Sequence, residues 1–154
     1  LEVGAISKTV VITLTLLGTF AGGVLLARLG LYRSLLFFGI LQALTNLLYA
    51  LLAATGKSTA LMVLALGFDN FAGGMGAAAF VAFLMALCDV RFSAFQYALL
   101  SALASVARNF LGPPAAYLVD AVGWSSFFTI TFFTAIPGLI VLVLLRRQVA
   151  QLDA

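Results

Sequence analysis

The chain contains no histidine and a single cysteine among 154 residues. The first absence removes imidazole catalysis, histidine-ligated metal and a histidine proton relay. A lone thiol, Cys88, can form neither an internal disulfide nor a cysteine-rich metal site. Charge is equally scarce: Asp, Glu, Lys and Arg make up 8% of the residues, where a soluble domain has about 25%. That is too little to clothe a water-facing surface, and a disordered chain would be more polar still. What is abundant is apolar, at 64% of the sequence. The fold class this implies is all-α: a polytopic transmembrane helix bundle.

Apolar runs of membrane-spanning length occur five times, which predicts helices at about 7–27, 34–54, 59–88, 94–118 and 125–145. The intervening breaks run from Arg28 to Arg33, Thr55 to Ser58, Asp89 to Phe92 and Val119 to Trp124. The third run, at roughly 45 Å for 1.5 Å per residue, exceeds a hydrocarbon core of about 30 Å, so it must tilt, protrude or break. No basic n-region precedes the first run and the chain begins Leu-Glu-Val-Gly, so no cleavable signal is expected and a fragment of a longer protein is. All residues fall in one partial transmembrane domain.

The net charge of +3 is spread over helix ends and short loops. That pattern speaks for membrane topology and against a nucleic-acid partner. Arg28, Arg33, Arg91, Arg146 and Arg147 fall on one side, Lys8 and Lys57 on the other, so the first set is expected to be cytoplasmic together with the C-terminus. Trp124 opens the last run where an indole can sit at headgroup level. Asp89 and Arg91 read as an interfacial charge pair.

Two ionisable residues fall inside the apolar runs. Asp69 lies in the third and Arg108 in the fourth. Intramembrane charges are costly and face a bundle interior or a water-filled cavity. Opposite signs on successive helices suggest a pair, or two poles of a polar cavity. Asp69 is a candidate proton carrier, and Arg108 could bind a carboxylate bidentately; the alternative is a static ion pair. Asn70 and Asn109 widen the polar zone or hydrogen-bond between helices. On the second run Gln42, Asn46 and Tyr49 share one face, and on the first Thr15, Thr19 and Gly22 do. Each stripe could line a cavity or hold helices together.

Small residues form a second pattern. Gly18 and Gly22 make a small-xxx-small step, and Gly73, Gly74 and Gly76 precede Ala77 to Ala79. Close helix approach is one reading, an unwound segment beside Asp69 the other. Gly112-Pro113-Pro114 and Pro137-Gly138 are expected to kink their helices. No P-loop, GxSxG, HExxH or paired carboxylates are present, so neither an enzyme nor a cofactor or metal is expected.

The stretch Gly23-Val24-Leu25-Leu26-Ala27-Arg28-Leu29-Gly30-Leu31-Tyr32-Arg33 resembles the cytoplasmic loop motif of the major facilitator superfamily, G-x-L-x-D-R-x-G-R-R. Gly23, Arg28 and Gly30 match in register, and Ala27 stands in place of the Asp. The run from Asp69 through Gly73-Gly74 to Ala82 is similar to the tenth helix of AmpG-type muropeptide permeases, and Phe92 to Leu103 to the start of their eleventh. Gly112-Pro113, Gly123-Trp124-Ser125 and Pro137-Gly138 continue the likeness in order.

The resemblance implies helices 8 to 12 of a twelve-helix permease, with the N-terminal half and helix 7 absent. Such a permease resides in the bacterial inner membrane and imports N-acetylglucosamine–anhydro-N-acetylmuramoyl peptides for cell-wall recycling by proton symport. Its partners would be the lipid bilayer, the missing half, the glycopeptide substrate and H⁺. Asp69 would couple protons, while Arg108, Asn109, Asn70, Asn46 and Gln42 would serve the cavity. A porter of acetyl-CoA, a sugar or a drug stays open as an alternative, as does a structural membrane subunit that transports nothing.

Overall fold

The computed structural model describes residues 2–55 and 59–152. Among them the chain is almost wholly helical: α1 spans Glu2–Leu29, α2 Leu31–Thr55, α3 Thr59–Ala86, α4 Ser93–Leu144 and α5 Arg146–Gln151. The first four are long and apolar enough to cross a membrane. In hydrocarbon each peptide group must be satisfied within its own segment, and a helix does this without outside partners. Hydroxyls follow the same rule. Thr19 donates to the Thr15 carbonyl at 2.8 Å, and Thr129 and Thr134 donate to the carbonyls four residues back.

A single residue turns α1 into α2. Gly30 adopts φ 79°, a left-handed conformation that only glycine takes without cost. Its N–H still bonds the Leu26 carbonyl at 3.0 Å, and its own carbonyl accepts from Ser34 at 3.1 Å. The interval from Arg28 to Arg33 is therefore a one-residue hinge. The glycine of the loop motif has a backbone reason to be there.

The expected break from Val119 to Trp124 is also narrower. Helix runs on through Val119 to Val122, and within α4 only Gly123 leaves helical geometry, at φ 77° and ψ 164°. This one residue divides α4 into a first arm, 93–122, and a second arm, 124–144. Pro113, Pro114 and Pro137 keep helical backbone angles. The Asp89–Phe92 interval is a turn, as expected. In it the Asp89 carboxylate accepts from the Arg91 backbone N–H at 2.8 Å, and the Gln96 side chain accepts from the Asp89 N–H at 2.6 Å. The expected Asp89–Arg91 link thus runs through the Arg91 backbone. Thr55 to Ser58, with Lys57, includes residues outside those described.

α3 is the central element, packed against α1 on one side and α2 on another, while α2 also carries the second arm of α4. The core is Phe38, Met75 and Ala79, with Leu25, Leu26 and Leu35 against it. It joins the end of α1, the start of α2 and the latter half of α3, as antiparallel succession requires. Against α1 the packing is backbone to backbone. A Cβ on Gly18 would collide with the Phe71 carbonyl, one on Gly22 would lie 2.7 Å from the Met75 Cα, and one on Gly74 would strike the Thr15 carbonyl. Gly18, Gly22 and Gly74 thus form an interhelical seam, and Gly73 and Gly76 stand outside it. α3 is continuous across Gly73, Gly74 and Gly76, which corrects the unwound alternative.

The first arm of α4 is the opposite case. Phe95, Leu103, Phe110 and Tyr117 are all exposed, and nearly every residue from 102 to 126 is exposed or only half-buried.

Candidate functional site

The polar centre of the bundle is Asp69, half-buried on α3 where that helix faces α2. Its Oδ1 accepts from the Gln42 side-chain amide at 2.8 Å and from the Thr45 hydroxyl at 3.0 Å. Its Oδ2 accepts from the Tyr49 hydroxyl at 3.4 Å. Gln42, Thr45 and Tyr49 stand at i, i+3 and i+7, so one stripe of α2 supplies all three donors. A carboxylate buried in apolar surroundings is tolerable only when its lone pairs are taken up in this way. The Thr45 hydroxyl also lies 2.8 Å from the Gln42 carbonyl. With one hydrogen to give, it divides that donation between the two acceptors.

The stripe on α2 therefore includes a residue that sequence reasoning passed over. Gln42 and Tyr49 meet Asp69, but Thr45 completes the set. Asn46, half-buried, stands one position round the helix and is not among the partners of Asp69. The signal available was spacing: Thr45 lies three residues after Gln42 and four before Tyr49.

Asn70 points the other way, towards α1. Its amide donates to the Leu66 carbonyl at 2.7 Å, and its Oδ1 lies 3.4 Å from the Thr15 hydroxyl, which also bonds the Val11 carbonyl at 2.7 Å. The Thr15, Thr19 and Gly22 stripe thus faces the α1–α3 seam, where Gly22 packs on Met75.

Arg108 and Asn109 are exposed on the first arm of α4, and neither is a hydrogen-bond partner of Asp69. Among the described residues the carboxylate is held by the neutral donors Gln42, Thr45 and Tyr49. In the loop motif Gly30 makes the turn, Arg28 and Arg33 are exposed at the same end of the bundle, and Gly23 has open space around its Cα. Among the described residues no cluster of three or more His, Cys, Asp or Glu side chains could hold a metal.

On the far side of Tyr49 is the second arm of α4. The Tyr49 ring stacks on Phe128 with centroids 5.1 Å apart and planes 18° apart, and Phe128 stacks on Trp124 at 6.0 Å and 27°. Trp124 directly follows the break at Gly123. Lower down, Leu139 packs against Gly39 of α2.

Successive apolar helices of membrane-crossing length, packed around one hydrogen-bonded carboxylate, define a multi-pass membrane protein. Comparison with known proteins makes the assignment narrower. The chain is 49% identical to the anhydromuropeptide permease of Escherichia coli K12 over 95% of its length. It is 36% identical to AmpG 4 of Rickettsia felis and 30% identical to AmpG 1 of Rickettsia prowazekii, in each case over 96% of its length. It spans 30% of the Escherichia coli relative and 36% and 33% of the two Rickettsia relatives. No family model matches the chain. The chain is homologous to the C-terminal part of the AmpG-type permeases.

Proposed function

We propose that this chain acts as the C-terminal part of a longer AmpG-type permease that carries anhydro-muropeptides across the bacterial inner membrane into the cytoplasm. The observation that carries this reading is the 49% identity to an anhydromuropeptide permease over 95% of the chain. In this reading the remainder of the transporter packs on the exposed first arm of α4. The substrate then binds near the membrane midplane between the two halves, where this class of transporter places its cargo. Arg108 and Asn109, on that exposed arm, would meet an anionic group of the glycopeptide there. The arginines at helix ends favour a cytoplasmic C-terminus in this reading.

Uptake would be driven by the proton gradient, with Asp69 as the carrier. The chemistry of the site supports the role: Oδ1 is held by Gln42 and Thr45, while Oδ2 has only the longer contact to Tyr49 to displace when it takes a proton. The test is uptake of labelled anhydro-muropeptide by membrane vesicles that carry the full-length protein. Asp69→Asn should abolish gradient-driven accumulation while the protein still inserts in normal amount. Undiminished accumulation would rule out the carrier role. Competition by acetyl-CoA or a sugar in place of muropeptide would reassign the cargo. No gradient-dependent flux of any of them would leave a structural subunit.

A further inference from the structure

Asp69 is held by donors from one helix, and one of the three donors is also stacked on a further element, the second arm of α4. Gln42 and Thr45 approach Oδ1 from α2 alone. Tyr49 approaches Oδ2 at 3.4 Å with its hydroxyl while its ring is stacked on Phe128 of the second arm of α4. The stack continues to Trp124, and beside Trp124 the only non-helical residue within α4 breaks the helix. From carboxylate to break there is one unbroken line of contacts: Asp69, Tyr49, Phe128, Trp124, Gly123.

We propose that Tyr49 is a positioning residue that ties the protonation state of Asp69 to the placement of the second arm of α4 about Gly123. The inference rests on the reading of Asp69 as a proton carrier. With Asp69 ionised, the phenol donates to Oδ2 and the ring is held flat on Phe128. When Oδ2 takes a proton from solvent, the carboxyl O–H is itself a donor. The phenol must then turn to accept from it or leave, since two donors cannot share one hydrogen-bond line. Turning needs only rotation of the hydroxyl about its C–O bond, but the contact is long at 3.4 Å; when the phenol leaves instead, its ring shifts against Phe128, and the arm beyond Gly123 follows because the helix is already broken there. A glycine at φ 77° can change its dihedrals at small cost, whereas an intact helix would resist.

Competing electrostatic influences on Asp69 are few. The second arm, 124–144, contains no charged residue. On the elements packed against α3, Glu2, Lys8, Arg28, Tyr32 and Arg33 lie towards the ends of α1 and α2, and the first arm of α4 carries Tyr97, Arg108, Tyr117 and Asp120. Tyr49 is the titratable group that faces the carboxylate.

The experiment uses the full-length transporter stripped of its native cysteines, with nitroxide labels on Leu16→Cys in α1 and Phe133→Cys in the second arm of α4. Both sites are exposed, and α1 is a fixed reference because glycines lock it to α3. Asp69→Asn mimics the neutral carboxyl. It should shift the α1–arm distance by about 2 Å, the scale of a helix shift at a packed interface. Adding Tyr49→Phe, which keeps the ring but removes the hydroxyl, should abolish the Asp69-dependent part of that shift, and Phe128→Leu should do the same from the other end of the stack. A full-sized shift that survives in the Tyr49→Phe background overturns the proposal, and so does the absence of any shift in Asp69→Asn. Muropeptide uptake measured on the same preparations separates the two ideas. Retained uptake in Asp69→Asn removes the proton-carrier reading, whereas the distances decide the link through Tyr49.

Discussion

Towards α1, helix α3 presents bare backbone; towards α2 it presents a carboxylate. On the first side Gly18, Gly22 and Gly74 bring main chains into contact, and the side-chain link from Asn70 to Thr15 is long at 3.4 Å. On the second side Gln42, Thr45 and Tyr49 converge on Asp69. The two interfaces use different physics. Close backbone approach gains dispersion that vanishes if the helices separate by even an ångström. A set of hydrogen bonds to an ionisable group changes when that group gains or loses a proton. One interface rests on shape alone, and the other on a group that can ionise.

The largest effect should come from breaking the fixed side. Gly18→Ala or Gly74→Ala places a methyl into a carbonyl of the facing helix, and neither backbone can retreat without unseating the whole seam. We expect a loss of about 3 kcal/mol, the upper range for overpacking, read by denaturant unfolding in detergent micelles. A loss below about 1 kcal/mol would show that α1 can slide on α3, and the contrast between the two interfaces would collapse.

The switchable side should respond to how partners are removed. Gln42→Leu leaves Asp69 Oδ1 with only the shared Thr45 hydroxyl, at a cost of about 2 kcal/mol for an under-satisfied buried acceptor. Removing the carboxylate as well, in Gln42→Leu with Asp69→Leu, should recover most of that stability, because two apolar groups need no partners. If Asp69 carries the proton as proposed, transport would stay lost. A double variant as unstable as Gln42→Leu would mean that the cluster supports the fold more than it serves a moving proton.

Much of this contrast could be read from the sequence. The five apolar runs correspond to α1, α2, α3 and the two arms of α4, and the Gly18–Gly22 step announces a close seam. Gly30 is legible too, since a turn between two helices calls for a left-handed residue. Three features escaped for physical reasons. Thr45 is an unremarkable threonine until α2 and α3 are docked, because spacing along one helix gives a face and not the register of its neighbour. The separation of Arg108 from Asp69 was hidden for the same reason: opposite charges on successive runs say nothing of the angle between their helices. The narrowing of the Val119–Trp124 break to Gly123 was masked because the polar content around Asp120 and Gly123 looks like a loop, while the backbone remains free to stay helical through Val122.

Milder substitutions sharpen the comparison further. Thr15→Val removes the hydroxyl that reaches Asn70, but that hydroxyl already serves the Val11 carbonyl. The expected loss is about 0.6 kcal/mol, the average for interhelical hydrogen bonds in membranes. This is well below the loss for Gln42→Leu, although both changes delete a polar contact to α3. Equal losses would mean that the seam with α1 depends on its hydrogen bond and not on its glycines.

The smallest effect tests whether glycines matter by kind or by place. Gly76 lies on the same helix as Gly74, two residues on, yet a Cβ built there meets no atom within 4 Å. Gly76→Ala therefore adds no collision and removes the conformational freedom that glycine brings to the unfolded chain. A gain of up to about 1 kcal/mol is expected from helix propensity, against the large loss at Gly74. The pair is a clean control, since both changes add the same methyl to the same helix and differ only in what stands opposite. If Gly76→Ala were as damaging as Gly74→Ala, the tolerance of α3 for glycine would reflect a need for flexibility along the helix. The seam with α1 would then no longer explain why those residues are small.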